Sequence, residues 1–180
     1  MNQEFIPALD EVGAKFESGQ LFLPQLMQSA DAVKRAQAVL KDYLSKHDQQ
    51  VDKQGKILLA TVEGDIHDIG KNIVKMILEN YGFDVVDLGK DVPIQKVVDS
   101  IREQDIKLVG LSALMTTTVQ NMKATITAVK EAGLNCSFMV GGAVLNEEYR
   151  AFVGADYYAK DALESVTIAQ AFFNEHPEYK

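Results

Sequence analysis

The sequence has a single cysteine, three histidines and no long apolar run. Cys136 cannot form an internal disulfide, which favours a reducing compartment and predicts a cytoplasmic protein. No apolar stretch is long enough to span a bilayer. The first residues, MNQEFIPALDE, lack the basic and apolar regions of a signal peptide. The sequence therefore indicates neither membrane insertion nor secretion.

Positive charge is also in short supply. The 18 basic residues stand against 26 acidic ones, which gives a net charge of −8. A surface of this sign repels nucleic acid and anionic lipid. Apolar residues make up 47% of the 180 residues, ample for a hydrophobic core in one domain with or without a small accessory.

The N-terminal part has helical periodicity. Apolar residues recur at helical spacing over residues 4–18, and Gly19 ends the run. A second helix follows, with Pro24 near its first turn. We interpret residues 1–47 as a helical cap of two helices, residues 48–54 as a polar linker and residues 55–180 as a second domain.

Short β-rich runs alternate with amphipathic helical runs from Lys56 onwards. The β-rich runs are KILLATV, FDVVDL, KLVGLSA, SFMVGG and YYAK. Five βα units predict an α/β fold with a doubly wound five-stranded parallel sheet, Rossmann/flavodoxin-like, preceded by the short helical cap.

Three unusual loops should meet at one edge of this sheet. In the strand order 2-1-3-4-5, ligands bind beyond the carboxyl ends of the strands, between the first and third. The residues that these loops contribute are Asp65, His67 and Gly70 after the first strand, Ser112 and Thr116 to Thr118 after the third, and Gly141 and Gly142 after the fourth.

The turn after the first strand, ATVEGDIHDIGKNIV (residues 60–74), places a histidine between two aspartates. A phosphate loop needs four residues between its glycines, but Gly64 and Gly70 have five, and the aspartates would repel phosphate. A phosphoacceptor receiver domain shares the fold but needs an aspartate at the end of the third strand, where the sequence reads GLSAL. Both interpretations fail.

A conventional zinc site lacks ligands. Such a site uses three or four protein ligands, but His47 and His176 lie in polar segments and Cys136 lies at the opposite end of the sheet. A metal at His67 would therefore draw its other ligands from elsewhere. One imidazole suffices if a macrocycle supplies the equatorial nitrogens.

These residues resemble a known family. The D-x-H-x-x-G pattern (Asp65, His67, Gly70), the GKNIV after it, GLSALMTTT and GGA are similar to the cobalamin-binding module of methionine synthase and of the corrinoid proteins of anaerobic methyltransferase systems. VGAKFESGQLFLPQLMQSA is similar to the helical cap that precedes this module. The resemblance covers nearly the whole chain.

The resemblance implies that cobalamin binds with its own benzimidazole displaced and that His67 ligates the cobalt from below, an arrangement called base-off/His-on. A ligating histidine needs a carboxylate on its second ring nitrogen, and Asp65 matches that position. Thr118 matches a serine whose hydroxyl extends this chain. Three further residues match main-chain contacts beneath the corrin: Gly64, Ile66 and Asp68.

Other matched residues surround the rest of the cofactor. Ser112 and Thr116 match positions that contact the displaced nucleotide tail, and Gly141 and Gly142 leave no side chains in its path. Ala162 matches a position near the far edge of the corrin. Three apolar residues of the cap match those that cover the upper corrin face: Phe16, Leu23 and Leu26.

The family's function implies a methyl carrier that is not a complete enzyme by itself. The cofactor, as cob(I)alamin, takes a methyl group from a substrate methyltransferase and, as methylcobalamin, gives it to an acceptor methyltransferase, while the protein supplies ligand, shielding and docking. Two alternatives stay open: a cobalamin-binding subunit of an adenosylcobalamin-dependent mutase, and a cobalamin-based sensor module. The FLPQL cap disfavours the first, and the negative charge disfavours DNA binding in the second. The sequence names neither methyl donor nor acceptor.

The cap is shorter than the family's usual four-helix bundle, since the sequence begins at the counterpart of the third helix. We therefore expect Phe5, Ile6 and Leu9 to lack the helices that normally cover them. Exposed apolar surface of this kind marks an interface. A cap-to-cap homodimer would restore four helices around a two-fold axis, and a partner methyltransferase that completes the bundle is the alternative.

Overall fold

The computed structural model of the protein describes residues 5–45 and 54–180. Two helices come first, α1 (Phe5–Glu17) and α2 (Leu23–Ser45). Gly19 lies between them with a φ of 74°, a left-handed conformation that suits glycine and ends α1. His47 and the predicted linker lie outside the described residues, apart from Gln54, so the domain boundary stays a prediction.

A five-stranded, all-parallel sheet forms the centre of the molecule. Its strands are β1 (Lys56–Thr61), β2 (Asp84–Asp87), β3 (Leu108–Ser112), β4 (Ser137–Gly141) and β5 (Tyr157–Tyr158). Their order in the sheet is β2-β1-β3-β4-β5. The predicted fold class and strand order are confirmed. β5 is shorter than the predicted YYAK because Asp161 already caps the next helix, its carboxylate accepting the Glu164 N–H at 2.8 Å.

Helices connect the strands and cover both faces of the sheet. They are α3 (Ile69–Asn80), α4 (Ile94–Gln104), α5 (Val119–Glu131), α6 (Glu147–Val153) and, after β5, α7 (Ala162–Glu175). The alternation along β1 shows why two layers form. Ile57 and Leu59 pack with α3 and α7, whereas Leu58 and Ala60 pack with α4, α5 and α6.

The cap packs on the α3/α7 face. Leu9 of α1 and Leu26 of α2 are buried in the same apolar cluster as Ile77 of α3 and Phe172 of α7. The hydroxyl of Tyr81, just after α3, donates to Asp10 Oδ1 of α1 at 3.1 Å.

The expectation that Leu9 lacks cover was therefore wrong. Only 4% of Leu9 is exposed, because it belongs to an apolar cluster formed with residues of α2, α3 and α7. The side chains of Phe5 and Ile6, named in the same expectation, lie outside the described ones. Within residues 5–45 and 54–180, no helix has the length and apolar character needed to cross a bilayer.

Candidate functional site

The turn after β1 directs Asp65 inward and His67 outward. The Asp65 N–H donates to Val62 O at 3.0 Å and closes a β-turn whose third residue, Gly64, has a φ of 84°. The Asp65 side chain has no exposed surface, whereas 45% of the His67 side chain is exposed. α3 begins two residues after His67. The turn thus places a carboxylate in the interior and an imidazole above it.

Every oxygen of the buried Asp65 carboxylate is hydrogen-bonded. Oδ1 lies 2.7 Å from Nδ1 of His67 and accepts the His67 N–H at 3.0 Å. Oδ2 accepts the Leu114 N–H at 2.7 Å and the Thr118 hydroxyl at 2.9 Å. Asp65 therefore joins the loop after β1 to the loop after β3, as the strand order predicted.

These bonds decide the charge of Asp65 and the tautomer of His67. Burial alone would raise the pKa of Asp65. The N–H groups of Leu114 and His67, the His67 ring and the Thr118 hydroxyl outweigh burial and lower the pKa from 3.8 to about 2. An ionised carboxylate only accepts hydrogen bonds, so Nδ1 of His67 carries the shared proton. In the neutral ring this leaves the lone pair on Nε2, the atom available to a metal.

The loop after β3 contributes hydroxyl groups at different depths. Thr118 is buried, and its hydroxyl lies 2.8 Å from Met115 O as well as near Asp65. Ser112 Oγ lies 2.8 Å from Thr61 Oγ1 at the ends of β3 and β1. Thr116 is exposed, in a 3-10 turn that includes Thr118. The sequence did not show which of these hydroxyl groups are buried and which are exposed.

A cavity of about 840 Å³ opens beside His67. It lies between the cap, α3, the start of α7 and the carboxyl ends of the inner strands, and its lining is mainly apolar. Its size and lining are typical of a small-molecule or cofactor site.

Most of the predicted site residues line this cavity. Those that do are Phe16, Leu23, Leu26, Ile66, His67, Asp68, Gly70, Ser112, Gly141, Gly142 and Ala162. Asp65 and Thr118 lie beneath it and act on His67 through hydrogen bonds. Gly64 and Thr116 lie outside its lining, Gly64 in the turn below and Thr116 in the exposed loop. The residues brought together thus come from the cap, three loops and α7.

Gly142 has a second reason to be glycine. A Cβ at this position would lie 1.9 Å from Ala113 O, and its φ is 141°. The loops after β3 and β4 can therefore approach each other only because Gly142 has no side chain to meet the backbone of Ala113. The motif pointed to an open path for a ligand, while the structure shows close backbone packing at the cavity wall as well.

Sequence reasoning missed a buried lysine. Only 2% of the Lys71 side chain is exposed; it lines the cavity and donates to Asp87 Oδ1 at 2.6 Å and Asn72 Oδ1 at 2.8 Å. Burial raises the pKa of Asp87, but the bonds from Lys71 and the Gly89 N–H, with the charge of Lys71, lower it overall. The lysine belongs to the quoted GKNIV, yet no pattern linked it to the distant aspartate.

The residues present fit a metal held mainly by its own macrocycle. No group of three or more His, Cys, Asp or Glu side chains that could hold a metal ion occurs in the described part of the chain. His67 offers one oriented imidazole at the wall of a large apolar cavity. A cofactor that brings its equatorial ligands and needs one axial nitrogen suits this arrangement.

Two family models match the chain, and both are described as a B12 binding domain. One matches residues 55–167, more than half of the chain, and the other matches residues 1–41. The two matches together include the sheet domain and most of the two N-terminal helices.

Known proteins are similar to this chain over most of its length and most of theirs. The dimethylamine corrinoid protein of Methanosarcina barkeri is 45% identical over 164 residues, 90% of this chain and 76% of that one. A cobalamin-binding protein from Desulfitobacterium hafniense DCB-2 superposes with a TM-score of 0.79 and 37% identity, covering 91% of this chain and 77% of that one. A chain of the methanol:cobalamin methyltransferase complex MtaBC from Methanosarcina barkeri superposes with a TM-score of 0.81 and 28% identity. The match covers 99% of this chain and 71% of that one.

The lowered pKa of Asp65 predicts a loss of stability in acid. The pKa is 3.8 without these contacts and about 2 with them, so the folded state binds its proton less readily than the unfolded state. The resulting stabilisation is present above about pH 4 and is lost as the pH falls towards 2. Urea unfolding across this range should show a slope that Asp65→Asn reduces.

At neutral pH, Asp65→Asn should also lower the free energy of unfolding by about 1–3 kcal/mol, because an amide cannot accept all four of these bonds. Asp84→Asn, on the exposed start of β2, is the matched control. Identical pH slopes for the wild type and Asp65→Asn would contradict the assignment.

Proposed function

The chain belongs to the family of cobalamin-binding corrinoid proteins, and on this premise we propose that it carries a methyl group between two methyltransferases. The observation that supports it is the contact between Asp65 and His67, which leaves Nε2 of the imidazole free at the cavity. We infer that this nitrogen would ligate the cobalt of a cobalamin bound base-off/His-on. When bound, the corrinoid supplies the cobalt that accepts and releases the methyl group.

The residues beneath the cavity hold the ligand and its proton. Asp65 fixes the His67 ring and keeps the proton on Nδ1, and Thr118 donates to the other carboxylate oxygen. If Nε2 of His67 takes up a proton, the hydrogen-bonded Asp65 would stabilise the resulting charge. Asp65 and Thr118 would thereby couple metal ligation by His67 to proton uptake.

The residues around the cavity exclude water and position the cofactor. We propose that Phe16, Leu23 and Leu26 cover the upper face, where the methyl group would lie, since all three line the cavity from the cap. We assign Ser112, Gly141 and Gly142 to the path of the displaced nucleotide tail. The main-chain contacts of Gly64, Ile66 and Asp68, the edge contact of Ala162 and the tail contact of Thr116 remain predictions.

A methylated amine is the methyl donor that we favour. The dimethylamine corrinoid protein is 45% identical to this chain, whereas the chain of the methanol complex is 28% identical. The first protein is a corrinoid protein named for dimethylamine, and the second belongs to a methanol:cobalamin methyltransferase complex. We therefore propose that a methyltransferase for a methylated amine loads this protein, within the cytoplasm, and that an acceptor methyltransferase unloads it.

Removal of the ligand tests the proposed binding mode. His67→Ala, reconstituted with hydroxocobalamin and reduced to cobalt(II), should lose the nitrogen hyperfine splitting of the imidazole in its electron paramagnetic resonance spectrum. We expect cobalamin affinity to fall by about tenfold or more. His176→Ala, in the C-terminal segment, is the control. Retention of the imidazole signature in His67→Ala would refute the assignment.

Transfer of a labelled methyl group tests the carrier role. The protein loaded with reduced cobalamin should retain label when mixed with a dimethylamine-specific methyltransferase and methyl-labelled dimethylamine. Much less label should be retained when a methanol-specific methyltransferase and labelled methanol replace them. Efficient loading by the methanol system alone would contradict the choice of donor.

A cap-to-cap homodimer also remains a prediction, but different residues of the cap now support it. Leu9 no longer argues for it, but Phe22, Met27 and Val39 are exposed apolar side chains of the cap. Light scattering at micromolar concentration, with and without cobalamin, should give twice the monomer mass, and Met27→Glu should lower it. A monomer under all conditions would exclude the homodimer.

A further inference from the structure

The peptide group between Glu63 and Gly64 is held at both ends by side chains from elsewhere in the fold. Its carbonyl oxygen, from Glu63, accepts the side-chain N–H of Asn121 at 2.7 Å. Its N–H, from Gly64, donates to Asp91 Oδ1 at 2.7 Å. Asn121 lies in the first turn of α5, and Asp91 lies in the loop between β2 and α4. Two distant segments therefore fix one peptide plane.

This peptide is the centre of the turn that precedes the candidate ligand, His67. The turn runs from Val62 to Asp65, and the positive φ of Gly64 at its third position is the mark of a type II turn. Types I and II follow the same path but differ in the orientation of the central peptide. Glycine permits both, so the residue alone does not choose. The bonds to Asn121 and Asp91 select one orientation.

Asp91 is itself in an unusual conformation that suits this role. Its φ is 50°, and Asp105 is the one other non-glycine residue with a positive φ in the described part of the chain. In this conformation the Asp91 N–H donates to Asp65 O at 2.9 Å, while the carboxylate accepts from Gly64. Left-handed backbone in such a residue persists where its surroundings require it. Asp91 thus contacts two successive residues of the turn.

The turn needs such anchors because it lies at the surface. Its two central residues, Glu63 and Gly64, are exposed, so apolar packing cannot fix them. Its first and last residues, Val62 and Asp65, are buried, and the Asp65 carboxylate holds His67. Any rotation of the Glu63–Gly64 peptide would alter the chain immediately before Asp65.

We propose that Asp91 and Asn121 are positioning residues that lock the Glu63–Gly64 peptide and thereby hold Asp65 and His67 in the ligating arrangement. The proposal rests on the proposed role of His67. Asp91 and Asn121 act through the turn and touch neither the imidazole nor the cavity. Their effect should appear in the geometry and affinity of the ligand, before any methyl transfer.

Hydrogen exchange in the cofactor-free protein tests directly whether these side chains fix the Glu63–Gly64 peptide. Asp91→Gly keeps a left-handed backbone accessible but removes the carboxylate, so we expect the Asp65 amide to exchange roughly tenfold faster, the scale of one lost bond to a charged group. Amides in the core of β3, such as that of Val109, should exchange at the wild-type rate. Asp105→Gly, at the other left-handed aspartate, is the matched control and should leave both rates unchanged.

Cobalamin binding gives the second measurement. Asp91→Gly and Asn121→Ala should each reduce the fraction of bound cobalt(II) corrinoid with the imidazole signature and weaken affinity by roughly three- to tenfold. Asp91→Asn keeps an acceptor oxygen and tolerates a positive φ, so it should retain most of the imidazole signature and most of the cobalamin affinity of the wild type. Asn121→Ala decides the matter if Asp91→Gly does not fold.

The outcomes separate this proposal from the proposed function. If the wild type shows no imidazole signature, the role of His67 fails, and the exchange rates still decide whether the peptide is locked. If the wild type shows the signature and both variants match it in signature, affinity and exchange, the positioning role is overturned. Equal acceleration of the Asp65 and Val109 amides would also overturn it, since that result means a general loss of stability.

Discussion

The site depends on one buried ionised carboxylate. Asp65 has no contact with solvent, yet both of its oxygens are hydrogen-bonded, and these bonds hold its pKa at about 2 despite burial. Two of the bonding groups belong to His67, and the others belong to the loop after β3. A buried charge is tolerated only when it is satisfied in this way. The orientation of the imidazole therefore follows from the closure of the whole strand-end region around Asp65.

The parallel sheet explains why such a carboxylate can be satisfied. β1 and β3 are hydrogen-bonded neighbours, with Thr61 opposite Ser112, so the loops that follow them leave the sheet side by side. The Leu114 N–H can then reach a carboxylate 49 residues earlier in the chain. The same topology leaves a crevice at the carboxyl ends of the strands. The cap and α7 close this crevice into an apolar cavity, so the polar network lies below and the apolar walls lie above.

The sequence predicted the strands and helices better than the side-chain contacts that hold the site. Alternating β-rich and amphipathic runs predicted all five strands, because burial on two layers leaves a strong periodic signal. The doubly wound fold class that these runs indicate supplied the strand order. The resemblance predicted a series of hydrogen bonds from His67 through Asp65 to Thr118. The bond between His67 and Asp65 and the bond between Thr118 and Asp65 are both present. The burial of Leu9 and the lysine–aspartate pair of Lys71 and Asp87 were not predicted. Both depend on the direction of side chains across long separations, which periodicity does not encode. The hydrogen bonds that Asp91 and Asn121 form with the turn from Val62 to Asp65 were not predicted for the same reason.

The lower and upper sides of the cavity are held by different forces. Below, charge-assisted hydrogen bonds fix Asp65 and His67 in one geometry. Above, the cap is held mainly by apolar burial, with Leu9 and Leu26 each contributing about 2 kcal/mol if fully buried. Burial, and then the charge and hydrogen bond of Asp10, raise the pKa of Tyr81, so its hydroxyl stays protonated and donates across this contact.

Apolar contacts are not directional, and they re-form after separation without a unique pairing of donors and acceptors. Movement of α1 and α2 away from α3 and α7 would expose Leu9 and Leu26 and break the bond between Tyr81 and Asp10. It would leave the hydrogen bonds of Asp65 described here intact, because their partners lie in the loops after β1 and β3. The fold therefore separates the two demands on a carrier. Under the proposed binding mode, the side that holds His67 would stay fixed, while the side proposed to cover the methyl group is closed by contacts that can part without disturbing it.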